Sequence, residues 1–115
     1  MIWNKYVIIT ILLFVINNVL IWYQLNSQLV WDWAKGNKSM WVMSLMGVPI
    51  SLLFWWCTKI GYDAFGALWP VRILGFATSM LTFPLMTWLY LGEVITIKTL
   101  ISIILGIVII ILQLI

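Results

Sequence analysis

What most constrains this chain is where its charges are missing. No charged side chain lies between Lys5 and Asp32, between Lys38 and Lys59, between Arg72 and Glu93, or beyond Lys98. Each gap is close to or above the roughly 20 residues that a helix needs to cross a hydrocarbon core of about 30 Å. Inside lipid a helix satisfies its own backbone groups without help from water. The pattern therefore predicts four transmembrane helices, over about residues 6–23, 40–58, 68–91 and 96–115. The joint Leu91-Gly92-Glu93 is so short that the last two must lie antiparallel. The expected fold is an all-α integral membrane protein, a four-transmembrane-helix bundle forming one membrane domain over residues 1–115.

Composition closes most other routes. Charged residues make up 8% of the chain, against about a quarter in a soluble domain. The formal net charge of +3 comes from basic residues standing singly beside apolar runs. That arrangement suits lipid phosphates and gives no nucleic-acid surface. There is one cysteine and no histidine. An internal disulfide, an ordinary zinc site and a histidine-assisted nucleophile all lack their parts. Cys57, beside Trp55 and Trp56, reads as a small buried hydrophobe. Neither an enzyme nor a bound cofactor or metal is expected. Met1 to Lys5 looks like the start of a signal peptide, but the apolar region after it is too long and no small-residue cleavage site follows. It reads as a retained first helix.

The polar residues inside the spans carry what functional information there is. Thr10, Asn17 and Gln24 are spaced by sevens and share one helix face. Asn17 and Asn18 serve either as interhelical glue or as lining of a substrate path, and both readings stay open. Residues 24–39 form a polar loop, with Leu25, Leu29, Trp31 and Trp33 placing its first half among lipid headgroups. In span two, Ser44, Ser51 and Thr58 repeat at seven with Gly47 between them, and Pro49 predicts a kink. A short loop with Lys59, Gly61, Tyr62, Asp63 and Gly66 follows. In span three, Gly75, Ser79, Thr82 and Met86 form a stripe with Arg72 one turn earlier, and Pro84 predicts a second kink. In span four, Ser102, Gly106 and Gln113 align opposite a solid aliphatic face. Gly75 with Ser79, and Ser102 with Gly106, are small-xxx-small pairs that let helices approach closely. Gly75, Ser102, Gly106 and Gln113 are thus candidates for helix packing or dimer contacts. Trp3, Tyr6, Trp22, Tyr23, Trp41, Trp69, Trp88 and Tyr90 sit at span ends, as an aromatic belt would. The common expectation is that hydroxyl, amide and glycine positions face other helices while branched aliphatics face lipid.

Four crossings put Lys5, Lys59 and Arg72 on one side and Lys35, Lys38 and Lys98 on the other. With three basic residues on each side, the positive-inside rule favours neither orientation. Such a chain can insert both ways and pair as an antiparallel homodimer. Four short helices are also too few to enclose a solute path alone.

The stretch Leu91-Gly92-Glu93-Val94-Ile95-Thr96, followed by an aliphatic helix with Ser102 and Gly106, is similar to the drug/metabolite transporter superfamily. Chain length and span number point to its small multidrug-resistance branch. The resemblance covers about residues 69–115, and residues 1–68 in layout only. It implies a dual-topology homodimer in a bacterial-type inner (plasma) membrane. Members of that branch exchange protons for cationic substrates through a glutamate in the first helix. This chain has no carboxylate there. Asn17 and Asn18 occupy the region, and an amide cannot titrate. The resemblance therefore does not extend to proton exchange, and Glu93, at a helix joint, is no substitute.

Three functions follow as expectations. The first is a small transporter-like protein for an uncharged, amphipathic or anionic solute. Its path would be lined by Asn17, Asn18, Ser51, Ser79 and Thr82, with Arg72 at the mouth; alternatively, Arg72 anchors span three to lipid phosphates. The second is a non-transporting membrane protein that assembles with a partner. The third is a dual-topology channel, since Gly75-Phe76-Ala77-Thr78-Ser79 with Thr82-Phe83 resembles the third helix of the fluoride channels. Their glycine-rich second helix is missing here.

Overall fold

The computed structural model describes residues 4–115; Trp3, assigned above to the aromatic belt, lies outside the described residues. All regular structure among these is helical: α1 (Lys5–Val30), a 3-10 turn (Asp32–Ala34), α2 (Asn37–Leu45), α3 (Gly47–Phe65), α4 (Leu68–Leu91) and α5 (Ile97–Leu114). α2 and α3 together make one interrupted crossing. Four stretches are long and apolar enough to cross a membrane, which makes this a multi-pass membrane protein by length and composition.

The last two crossings lie within a residue of the expected bounds, while the first two are longer. α1 continues through Gln24 to Val30, and α3 continues through Lys59, Gly61 and Asp63 to Phe65. Both extensions were expected to be loop. A charge marks where lipid ends, whereas a helix ends only where the backbone meets a stop. For α3 that stop is Gly66 and for α4 it is Gly92, both in the left-handed region (φ 72° and 68°), where glycine alone carries no steric cost. Starts are equally local. Asn4 Oδ1 accepts from the amides of Tyr6 (2.9 Å) and Val7 (3.0 Å), and Thr96 Oγ1 accepts from that of Thr99 (3.2 Å).

Ahead of Pro49 the helix is interrupted at one residue, Met46, which keeps right-handed helical dihedrals (φ -64°, ψ -17°). Proline has no N–H for the Leu45 carbonyl, and its ring clashes with that oxygen. Met46 N instead donates back to Met43 O (3.1 Å). Gln24 Nε2 reaches across from α1 to the same Met43 carbonyl (3.0 Å). α4 runs unbroken through Pro84.

α1 is the central helix. It packs antiparallel to α3 and parallel to α4, while α5 packs on α4 alone. The result is a slab of 45 × 35 × 19 Å, about two helix diameters thick. Val7, Thr10, Phe14, Asn17, Asn18, Trp22 and Ser27 of α1 are buried. The core cluster is Phe14, Cys57, Val71 and Leu74. Cys57 is fully buried and donates Sγ–H to Thr10 O at 3.4 Å.

α5 shows why small residues matter where no solvent drives helices together. Its buried positions are Gly106 and Leu114. A Cβ on Gly106 would stand 3.4 Å from the Ala77 carbonyl oxygen and 3.5 Å from Met80 Cβ. Gly106→Ala is expected to fold normally, whereas Gly106→Leu pushes α5 off α4. Denaturant-induced unfolding would read this as unchanged resistance in the first variant and lowered resistance in the second.

Trp22 departs from the belt assignment. It is fully buried, stacked on Tyr90 with ring centroids 5.2 Å apart, and donates Nε1–H to Thr87 Oγ1 at 3.1 Å. Tyr23, Trp31 and Trp33 extend this cluster, and the Tyr23 and Tyr90 hydroxyls are hydrogen-bonded. A tryptophan with a hydrogen-bond partner in reach costs little to bury, and the cluster ties the α1 end to the α4 end. Trp55 and Trp56 are exposed with Lys59 lying over both rings (5.5 and 5.2 Å). Because α3 continues past Thr58, they sit well inside the helix and not at its end.

Candidate functional site: the groove between α3 and α4

α3 and α4 meet at Gly61 and Val71, where an added Cβ on Gly61 would come 3.0 Å from the Val71 side chain. Further into the membrane they part. The space between them is a cavity of about 310 Å³ lined by Phe14, Asn18, Phe54, Arg72, Ser79 and Phe83, among others. Phe54, Thr58 and Arg72 also line a shallower cavity of about 500 Å³, together with Ser51, Trp55 and Lys59. The two form one groove, floored by α1 and open on one side.

The sequence-derived candidates separate into three groups. Asn18, Arg72 and Ser79 meet in the inner cavity, and Ser51 lines the shallower one. Asn17 and Thr82 are buried outside both cavities, Thr82 donating to its own helix at Thr78 O (2.8 Å). Gly75 also lines the inner cavity, where a Cβ would stand 3.0 Å from Phe14 Cε1. Gly106 packs against α4, while Ser102 and Gln113 are half-buried.

On span two the expected inward face is not the buried one. Ser44 and Ser51 are exposed, and Thr58 and Gly47 are half-buried. The face that packs on α1 carries Ile50, Cys57 and Gly61. These repeat at seven and then four, the same period as the polar row, so apolar residues won the helix–helix contact. On α4 the buried stripe is Val71, Leu74, Ala77, Thr78, Thr82 and Met86, which keeps Thr82 and Met86 of the expected one. Gly75 and Ser79 fall at its margin and hence on the groove.

Thr78 is the residue the sequence reading missed. Asn18 Nδ2 donates to Thr78 Oγ1 at 3.0 Å, a buried bond between α1 and α4. The Thr78 hydroxyl proton is already given to its own helix, at Leu74 O (2.8 Å) and Gly75 O (3.0 Å). The hydroxyl can then only accept, which orients the Asn18 amide with nitrogen toward Thr78. Thr78→Val keeps the volume and removes the acceptor. It is expected to cost about 1 kcal/mol in denaturant-induced unfolding, and little further in an Asn18→Leu background.

Asn17 is stranger. It is fully buried, and neither Oδ1 nor Nδ2 has a hydrogen-bond partner. It lies on the α1 row between Thr10, which faces Gly61, and Gln24, which faces Gly47.

At the mouth Arg72 and Lys59 are exposed, and neither forms a salt bridge; among the described residues only Lys35 and Asp32 do (3.0 Å). The Arg72 guanidinium lies over Phe76 at 5.5 Å. Glu93 is exposed and sits away from the groove, beside Pro84, Val94 and Thr99.

No family model matches the chain, and no curated protein or solved structure is significantly similar to it. Within Leu91-Gly92-Glu93-Val94-Ile95-Thr96, Gly92 and Thr96 act as helix stop and helix start.

Proposed function

We propose that this chain is a small transporter-like membrane protein, without enzymatic activity, that works as an antiparallel homodimer in a bacterial-type inner membrane. It moves a small uncharged, amphipathic or anionic solute along the groove between α3 and α4, without a titrating carboxylate in the first helix. The observation that carries this reading is the inner cavity. An amide, a serine hydroxyl and a guanidinium line one open-sided space between α3 and α4. Polar groups at such depth are costly unless they are used. The slab supplies the groove's floor and two walls, and a second copy would supply the missing side. The resemblance of residues 69–115 to the small multidrug-resistance branch supports the same arrangement.

The test has two parts. In a Cys57→Ala background, Lys35→Cys and Lys59→Cys are each expected to be labelled from both sides of the membrane. Labelling from one side only would exclude the antiparallel dimer. In proteoliposomes, Asn18→Ala is expected to lower solute flux at least tenfold while cross-linked dimer persists. Unchanged flux would remove the groove as the path.

A second reading is favoured by the Asn18–Thr78 bond: the buried polar residues already serve packing, as in a non-transporting assembly protein. A foreign subunit that co-purifies in fixed ratio, with no flux, would establish it. Halide-selective conductance would instead point to the channel.

A further inference from the structure

We infer that the groove binds a small amphiphile carrying an acid group at one end and a hydrogen-bond donor, a hydroxyl or an ammonium, at the other. The inference rests on the transporter reading only for the choice of groove. It comes from the polarity of the groove's hydrogen-bonding groups.

At depth these groups are acceptors. Asn18 turns its nitrogen to Thr78, and its Oδ1 accepts no hydrogen bond from the described residues. Oδ1 is also not among the sealed, partnerless atoms, a condition restricted here to the two polar atoms of Asn17. Asn18 is 4% exposed and lines the cavity, so its oxygen is an anchored acceptor. The Ser79 hydroxyl donates its proton to Phe76 O (2.7 Å), and that of Thr58, which stands between floor and mouth, goes to Phe54 O (2.8 Å). Both keep only lone pairs for a ligand. The mouth has the opposite character. Lys59 and Arg72 offer only donors and positive charge, with no carboxylate paired to either. Asp63, one turn beyond Lys59 on α3, forms no ion pair with it.

A plain acyl chain would satisfy the mouth through a lipid phosphate and leave the deep acceptors dry and unpaired. A neutral sugar would satisfy the floor and leave two cations unused. An acid that also carries an N–H or O–H satisfies both. Arg72 and Ser79 are seven residues apart on α4, about 10 Å along the backbone axis, and the Arg72 side chain, whose guanidinium lies over Phe76, spans part of that distance. The rings of Phe14, Phe54, Phe76 and Phe83 between them tolerate an alkyl or ammonium centre.

Phosphoethanolamine and phosphocholine headgroups test this directly, because they share the phosphate and differ in the N–H. The purified protein in a neutral maltoside detergent is titrated with lysophosphatidylethanolamine and lysophosphatidylcholine of one chain length. A parallel series uses the soluble pair phosphoethanolamine and phosphocholine. The donor-bearing member of at least one pair is expected to bind about tenfold more tightly. Preference confined to the lipid pair identifies a membrane source, and preference in the soluble pair a free solute.

Arg72→Gln is expected to weaken both members of the pair about equally. Asn18→Leu is expected to abolish the preference, and Ser79→Ala to reduce it if Asn18→Leu fails to fold. Equal affinity for the two headgroups, or a preference that survives in both groove variants, would overturn the inference. Selective binding without flux would leave the site standing and overturn transport. Flux of solutes lacking an acid, with equal headgroup affinities, would do the reverse.

Discussion

Gly61→Leu is expected to prevent the bundle from assembling. Gly61 is buried where α1, α3 and α4 converge, and a single added Cβ would already stand 3.0 Å from Thr10 Cγ2 and from Val71 Cγ2, and 3.1 Å from Val71 Cγ1. Thr10 and Val71 are themselves fully buried and cannot swing aside. Three further carbons at this point force α3 away from both neighbours. The cost lies at or above the upper end for core overpacking, about 3 kcal/mol or more. Lost with it are the Cys57–Thr10 contact and the α3 wall of the groove. Far-UV circular dichroism should still report helix, since each span is held by lipid and its own backbone bonds. Size-exclusion homogeneity and resistance to denaturant should collapse. Gly36→Leu is the matched control: nothing lies within 4 Å of a Cβ there, and no change is expected. A normally packed Gly61→Leu protein would mean that α3 does not seat against α1 at this point.

Asn17→Leu is expected to act in the opposite direction, raising stability by about 1–3 kcal/mol. A buried amide with no partner pays its full desolvation cost, and leucine has a similar size with nothing to desolvate. Denaturant titration in bicelles reads the difference, with Asn18→Leu alongside. The second variant is expected to be neutral or destabilising, because it breaks a made hydrogen bond to Thr78. If Asn17→Leu instead lowers stability, its amide is partnered by water bound inside the bundle. Unsatisfied polar groups that persist in a core commonly sit at places that move or bind. Asn17 is adjacent in sequence to the amide that floors the groove.

How far the sequence could be read differs sharply between neighbouring residues. The helix expected over about residues 68–91 runs from Leu68 to Leu91, with Gly92 ending it and the charge gap beyond Arg72 filling most of it. The end of the second crossing was misjudged, because Lys59 marks the lipid boundary and the helix runs on to Gly66. Asn18 and Asn17 look alike in sequence, yet one is bonded across to α4 and the other is bonded to nothing. Thr78 was passed over for Ser79, its neighbour, which lies at the stripe's edge. Ser51 has the periodicity of a packed face but stands exposed opposite Ile50 and Cys57. Gly61, expected in a loop, makes close contacts with two helices at once, although Cys57-xxx-Gly61 is a small-xxx-small pair of the kind recognised elsewhere in the chain.

The sequence by itself determined the number of crossings and, through Gly66, Gly92 and Thr96, where several of them begin or stop. Partition into lipid sums along the chain residue by residue, and capping involves only neighbours a turn away. Only the tertiary structure decided which side of each helix turns inward. Adjacent residues differ by about 100° around the axis, and in lipid no difference in polarity between core and surroundings selects between them. That choice falls to close packing, to Gly61 against Thr10 and Val71 and to Gly106 against Ala77; a small-xxx-small pair marks the glycine, but no local pattern records its partner.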